Sequence, residues 1–183
     1  MNKKIGILGY GEVGKAIAMF YQNPKIKDLK RQDNLQGSKI LNICIPWRKD
    51  FIKIIVKEIN ELNPELVIIH STVGPGTTKK IKKMISGSIK IVHSPVRGMH
   101  PDLYSGIKTF TKFVGADDEA SGKAAKEHLE SLGMKVVLFP STVTTELGKL
   151  LDTTYYGLCI AWHGEMKKIC DKYEVDFDQA ITQ

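Results

Sequence analysis

The chain has 183 residues, enough for one full domain with a sizeable core, or for one domain and part of another. Hydrophobic residues make up 42% and charged residues 26%, an ordinary balance for a soluble globular protein, and no apolar stretch is long enough to span a bilayer. The net charge of +7 rests partly on lysines clustered in one helix, such as Lys79, Lys80, Lys82 and Lys83. No aromatic residues interleave them, so they read as a solvated face, and neither a nucleic-acid nor a membrane partner is expected.

In chain order, the short apolar run Ile5–Leu8 predicts a strand, and Glu12–Tyr21 a helix. Lys25–Leu29 reads as a short second strand. Ile40–Ile45 is a third, ended by Pro46, and Arg48–Leu62 is a helix with Phe51, Ile55, Ile59 and Leu62 on one face. Leu66–Ile69 is a fourth strand, Thr77–Ile85 a Lys-rich helix, and Ile89–Val92 a fifth strand. The segment Ser94–Gly106, with two prolines and two glycines, reads as loop. A sixth strand is expected at Lys112–Val114, a helix at Glu119–Leu132 ending near Gly133, and a last strand at Val136–Phe139. A long helical pattern runs from Thr145 to about Tyr173, and Val175–Gln183 looks like the start of another helix.

Apolar strands alternating with helices predict an α/β fold: a Rossmann-type doubly wound, mostly parallel sheet followed by a long C-terminal helix. The expected division is a dinucleotide-binding domain over 1–140 and, over 141–183, the long helix with the start of a truncated helical or dimerisation domain. The apolar face of that helix has no evident intramolecular partner. A fragment of a longer protein, with a homodimer formed through the helix, is the expectation. Three cysteines, Cys44, Cys159 and Cys170, form no C-x-x-C pair. They predict a reducing, cytoplasmic setting, packing roles for Cys159 and Cys170, and no metal site.

The order strand, glycine turn, helix at Lys4–Phe20 carries the chemistry. Gly9, Gly11 and Gly14 form G-x-G-x-x-G. Gly9 is expected to make the tight turn, Gly11 to let the backbone approach a pyrophosphate, and Gly14 to let helix and strand pack closely. The amides of Glu12 and Val13 then face the phosphates at the helix start. Asp28, 19 residues after Gly9, is the candidate for the ribose hydroxyls of NAD. Lys30 and Arg31 follow at once and leave NADP open.

Two further segments complete a pattern: Ser71–Thr78, STVGPGTT, after the fourth strand, and Thr145–Glu165, which carries Glu146 and Lys149 in E-x-x-K spacing. Together with the glycine turn, these resemble the N-terminal NAD-binding part of the UDP-glucose/GDP-mannose dehydrogenase family, within the superfamily of 6-phosphogluconate and 3-hydroxyacid dehydrogenases. The resemblance covers nearly the whole chain but only the first half of a typical member. It implies that Pro46, Ser71 and Thr72 lie along the cofactor, with Thr72 near the nicotinamide. It implies that Gly76 and Thr77 start the following helix, and that Lys149 stabilises an oxyanion or assists proton transfer. Thr153 stands where the family has a substrate-side asparagine. Val96 stands where the family has a glutamate after Ser-Pro, and the family's cysteine nucleophile belongs to a later domain. A two-electron hydride transfer fits these departures better than a four-electron oxidation.

Arg97 and His100, in the loop after the fifth strand, are candidates to clamp a substrate phosphate or carboxylate. His70 and His93 end strands and read as hydrogen-bonded structural residues. The function expected is therefore an NAD-dependent dehydrogenase, with NADP possible, acting on an alcohol carbon of a sugar nucleotide or phosphorylated hydroxy acid. The alternative is a nucleotide-binding regulatory or interaction module without turnover.

Overall fold

A computed structural model describes residues 4–98 and 101–181. Two compact units divide the chain, Met1–Leu147 and Gly148–Gln183. The first holds a seven-stranded sheet of β1 (Ile5–Leu8), β2 (Lys25–Lys27), β3 (Ile40–Ile43), β4 (Leu66–Ile69), β5 (Lys90–His93), β6 (Lys112–Gly115) and β7 (Val136–Phe139). Their order is β2-β1-β3-β4-β5-β6-β7. Strands β1 to β5 are parallel to their neighbours, as are β6 and β7, while β6 runs antiparallel to β5.

Side-chain alternation along these strands sorts the helices onto two faces. Ile5 and Ile7 of β1 pack on one side with α1 (Glu12–Ala18), α4 (Leu103–Thr109) and α5 (Glu119–Ser131), through Ile17, Leu103, Ile107 and Leu129. Leu8, with Leu41 and Ile43 of β3, packs on the other side with α2 (Phe51–Leu62) and α3 (Thr77–Met84), through Phe51, Ile55, Ile59 and Ile81. Both faces are covered, which is why the central strands are apolar throughout rather than alternating. The chain leaves β1 for β2 at one edge and returns to β3 on the other side of β1. The loops after β1 and β3 therefore diverge and open a crevice at the carboxyl ends, where doubly wound sheets hold ligands.

Several features depart from the sequence reading. The first is the span Ser94–Gly106, which is not all loop. Asp102 caps α4 by accepting the Ser105 amide at 3.0 Å, and α4 then buries Leu103 and Ile107. The first helix ends at Ala18 rather than Tyr21, and the second begins at Phe51 rather than Arg48. Cys159 is half-buried rather than packed away; Cys44 and Cys170 are buried. The long helix α6 (Thr142–Lys172) starts three residues earlier than the apolar pattern suggests, and α7 (Phe177–Ile181) follows it. In the second unit, Leu151, Tyr155, Tyr156, Leu158, Ile160 and Trp162 of α6 are all more than half exposed.

Candidate functional site

The glycine turn is built as its three glycines require. Gly9 has φ +97°, a left-handed conformation that favours glycine, and an added Cβ would lie 2.7 Å from the Cys44 carbonyl carbon and the Ile45 nitrogen. A Cβ on Gly14 would be driven onto the Gly9 carbonyl, so helix and strand touch there backbone to backbone. A Cβ on Gly11 would meet nothing within 4 Å. Protein packing thus accounts for Gly9 and Gly14 but not for Gly11, whose bare Cα faces open space. Gly11 is the N-cap of α1, and Glu12 and Val13 supply the amides of its first turn. This is a cradle that a side chain would fill, and it fits a dinucleotide pyrophosphate.

Asp28 follows the last residue of β2, and its carboxylate accepts the Tyr10 amide at 2.7 Å. The acid is therefore drawn to the lip of the glycine turn, where a ribose would follow the phosphates. Arg31 is held elsewhere. Its guanidinium donates to the Asp33 carboxylate at 2.8 Å and lies 5.9 Å over the Tyr10 ring.

The other carboxyl-end loops converge on the same edge. Pro46 is exposed just past β3, beside Trp47, whose ring packs tilted against Phe51 with centroids 5.2 Å apart. Ser71 is buried, and its hydroxyl donates to the Ile45 carbonyl at 2.6 Å, tying the β4 loop to the β3 loop. Thr72 is exposed beside it. Arg97 is half-buried, with its guanidinium 4.6 Å over the Phe113 ring and 5.9 Å over Phe110. This cation–π seat leaves the in-plane N–H edges to meet an anion. His100 lies outside the described residues. Lys149 and Thr153 belong to the second unit: Lys149 is half-buried, and exposed Thr153 donates its hydroxyl to the Lys149 carbonyl at 2.9 Å.

Beneath these loops lies a buried polar layer. His70 and His93 are 2% and 0% exposed. His93 donates from Nε2 to the Ser71 carbonyl at 3.1 Å and accepts from the Thr145 hydroxyl at Nδ1, 2.9 Å away. Burial, and the nearby Lys112 to a lesser degree, lower its pKa to about 4 against a hydrogen bond that raises it. Burial and then Lys112 hold His70 well below the ordinary histidine range. Both rings are therefore neutral supports, as strand-end histidines are expected to be. Burial pushes the Cys44 thiol up to about 12, so it is not a reactive thiolate.

Two supporting residues were not evident from sequence. Glu146, fully buried, accepts from the Gly76 amide at 2.6 Å, the Thr78 amide at 2.8 Å and the Thr78 hydroxyl at 2.7 Å. It caps α3 and so fixes the end of the STVGPGTT segment. The E-x-x-K spacing flagged Glu146 without revealing this role. Lys112, 2% exposed, donates to the carbonyls of Ser94 at 2.8 Å and Pro95 at 3.0 Å. Nothing local marks it out from the other lysines. A cavity of about 720 Å³ opens at the opposite, amino-terminal edge, against Ile5, Leu66, Lys90, Tyr21 and His128, remote from the glycine turn. Among the described residues no His/Cys/Asp/Glu cluster has metal-binding geometry, and no helix is long and apolar enough to cross a membrane.

No family model matches the chain. Among curated relatives, the UDP-N-acetyl-D-mannosamine dehydrogenase of Methanococcus vannielii is 30% identical over 169 residues, which is 85% of this chain and 40% of that protein. The chain thus spans about 40% of the length of the curated relatives it matches. Among solved structures, UDP-D-ManNAc dehydrogenase from Pyrococcus horikoshii superposes with TM-score 0.80 at 20% identity, covering 98% of this chain and 56% of that one. A ternary complex of GDP-mannose dehydrogenase from Pseudomonas aeruginosa gives 0.77 at 15% identity, with 98% and 56% covered. At such identities the structures establish the fold, and the sequence match carries the relationship. With its glycine turn, STVGPGTT segment and seven-stranded sheet in place, the chain is related to the N-terminal, nucleotide-binding part of the UDP-glucose/GDP-mannose dehydrogenases.

Proposed function

We propose that this chain binds NAD at the carboxyl edge of its sheet and forms the nucleotide-binding part of a dehydrogenase acting on an alcohol carbon of a nucleotide-linked sugar. The observation that carries the reading is Gly11: in a turn whose other two glycines are each explained by a backbone contact, its Cα alone faces open space. The sequence relationship to UDP-N-acetyl-D-mannosamine dehydrogenases supports the substrate class.

In this reading Gly9, Gly11 and Gly14 shape the pyrophosphate turn, and the Glu12 and Val13 amides hold its charge. Asp28 accepts from the ribose hydroxyls while keeping the Tyr10 amide, and it favours NAD over NADP because a 2′-phosphate there would meet a carboxylate. The pairing of Arg31 with Asp33 occupies one of the two basic residues, Lys30 and Arg31, that would welcome that phosphate. Pro46, Ser71 and Thr72 line the path toward the nicotinamide. A bound nicotinamide supplies the hydride acceptor. Arg97 keeps its seat on Phe113 and turns its N–H edge toward a substrate phosphate. Lys149 as a catalytic residue and Thr153 as a substrate-side one rest on the family resemblance, and His100 on its sequence position close to Arg97 after the fifth strand. The exposed aromatic and aliphatic residues of α6 support pairing of two copies through that helix.

Calorimetric titration with NAD and with NADP tests the reading. NAD is expected to bind more tightly, and Asp28→Asn to weaken NAD and narrow the gap between the two. Absence of binding by either nucleotide would refute it. Binding without turnover on any nucleotide sugar would instead favour a regulatory module, in line with Val96 at the family's glutamate position.

A further inference from the structure

Because β6 runs antiparallel to β5, with His93 opposite Gly115, its first residues lie alongside the segment that follows β5. Three contacts clasp that segment there. The Ser94 hydroxyl donates to the Phe113 carbonyl at 2.8 Å, the Arg97 guanidinium rests on the Phe113 ring, and the Lys112 ammonium donates to the Ser94 and Pro95 carbonyls. Lys112 Nζ also lies 3.3 Å from His70 Nδ1.

The protonation of His70 follows from its neighbours. Asn42 faces the ring with Oδ1, 2.9 Å from His70 Nε2, and turns its amide NH2 toward the Gly6 carbonyl at 3.4 Å. Reversing the Asn42 amide would set its oxygen against the Gly6 carbonyl oxygen. The observed orientation is therefore the favoured one, and in it His70 Nε2 carries the hydrogen donated to Asn42. In a neutral ring Nδ1 is then an acceptor. It sits 3.0 Å from the Ser94 carbonyl, also an acceptor, and a donor must come between them. Lys112 is that donor: its ammonium lies 2.8 Å from Ser94 O, 3.0 Å from Pro95 O and 3.3 Å from His70 Nδ1.

We propose that Lys112 is a positioning residue for the Ser94–Arg97 loop, and that it does so by bridging the loop carbonyls to His70 and holding His70 in its Nε2–H form. The consequence for ligands rests on the reading of this edge as the binding edge; the positioning does not. Other titratable groups around His70 are His93 on β5 and His128 on α5, with Cys44 after β3 and Tyr21 after α1 bordering the same layer.

Side-chain ¹⁵N NMR of the histidines tests the proposal. In the unaltered chain, His70 is expected to show a protonated Nε2 and an unprotonated, hydrogen-bonded Nδ1 from pH 8 down to pH 5. In Lys112→Met, whose side chain keeps much of the length and packing, Nδ1 loses its donor. His70 should then take up a proton there and donate it to Ser94 O, either as the Nδ1–H form or as a titrating cation. Lys112→Arg should restore the original signature. An Nδ1–H form of His70 in the unaltered chain, or an unchanged His70 spectrum in folded Lys112→Met, would overturn the proposal; the first measurement needs no variant. Failure of NAD to bind a chain that shows the expected His70 signature would sink the function proposed above and leave the positioning intact.

Discussion

Gly11→Ala and Gly14→Ala add the same methyl group to the same turn, and the structure gives them opposite consequences. At Gly11 the backbone is ordinary for any residue, with φ −72°, and the new Cβ meets nothing within 4 Å. The cost to the free protein is that of a poor N-cap, about 0.5–1 kcal/mol. For a chain of this size that lowers Tm by about 1–4 °C. With NAD bound as proposed, the same methyl would occupy the approach to its pyrophosphate. Crowding of that kind costs roughly 1–3 kcal/mol, which is about a 5- to 150-fold rise in the Kd for NAD. At Gly14 the new Cβ is driven onto the Gly9 carbonyl, whose carbon would lie only 2.9 Å away. Gly9 cannot retreat, because its own Cα already sits against the Cys44–Ile45 peptide and its amide donates to the Lys27 carbonyl at 2.8 Å. Alanine's better helix propensity returns at most about 1 kcal/mol. The net loss is expected to reach about 3 kcal/mol or more, a Tm fall of roughly 6–12 °C. Thermal melts followed by circular dichroism, with calorimetric NAD titrations on the same samples, separate the two effects. Gly11→Ala binding NAD with native affinity, or Gly14→Ala melting with the native protein, would refute the division of labour among the three glycines.

Glu146→Ala strips acceptors from the Gly76 amide, the Thr78 amide and the Thr78 hydroxyl. A loss of about 2–4 kcal/mol is expected in urea unfolding, with a smaller loss for Glu146→Gln; a loss near zero for the alanine variant would show that α3 does not need this cap. His93 gives a pH dependence of definite sign. Its folded pKa of about 4 lies below the ordinary 6.5, so the unfolded chain binds a proton that the folded one refuses. Its contribution is complete above pH 6.5 and is lost as pH falls toward 4, by about 2 kcal/mol at pH 5. His70 shifts in the same direction. Urea midpoints should therefore drop between pH 7 and pH 5, and His93→Gln should flatten that drop; a midpoint that is level over this interval in the unaltered chain would contradict the buried neutral state.

The sheet, its helices and the glycine turn were legible because each is written locally. Short runs that are apolar throughout, a helical face such as Phe51–Ile55–Ile59–Leu62, and three glycines at fixed spacing need no knowledge of distant residues. Asp28 could be found by counting from Gly9, since strand β2 has little freedom in length. The misses share a cause. Helix α4 hides in a stretch rich in proline and glycine, and only the Asp102 cap betrays it. The reversal of β6 is invisible because Lys112–Gly115 is too short for its apolar pattern to encode direction. Glu146 and Lys112 act on partners 68 to 70 and 17 to 42 residues away, and no spacing rule reaches across such intervals.

Those long-range partners also explain why this edge can present a site at all. Loops beyond the ends of parallel strands lose the ladder that satisfies their backbone groups, and a buried carbonyl or amide left without a partner costs about 1–3 kcal/mol. Here buried side chains meet that need from a neighbouring strand or helix: Ser71 on Ile45, His93 on Ser71, Lys112 on Ser94 and Pro95, Glu146 on Gly76 and Thr78. Each tie joins one carboxyl-end segment to another, so a shift in any loop exposes a polar group in the next. The exposed residues that would touch a ligand, such as Thr72, are thus set on a mutually braced floor rather than on independent loops. On this argument, replacing a buried tie should disturb several loops together, whereas replacing Thr72 should leave the other loops where they are.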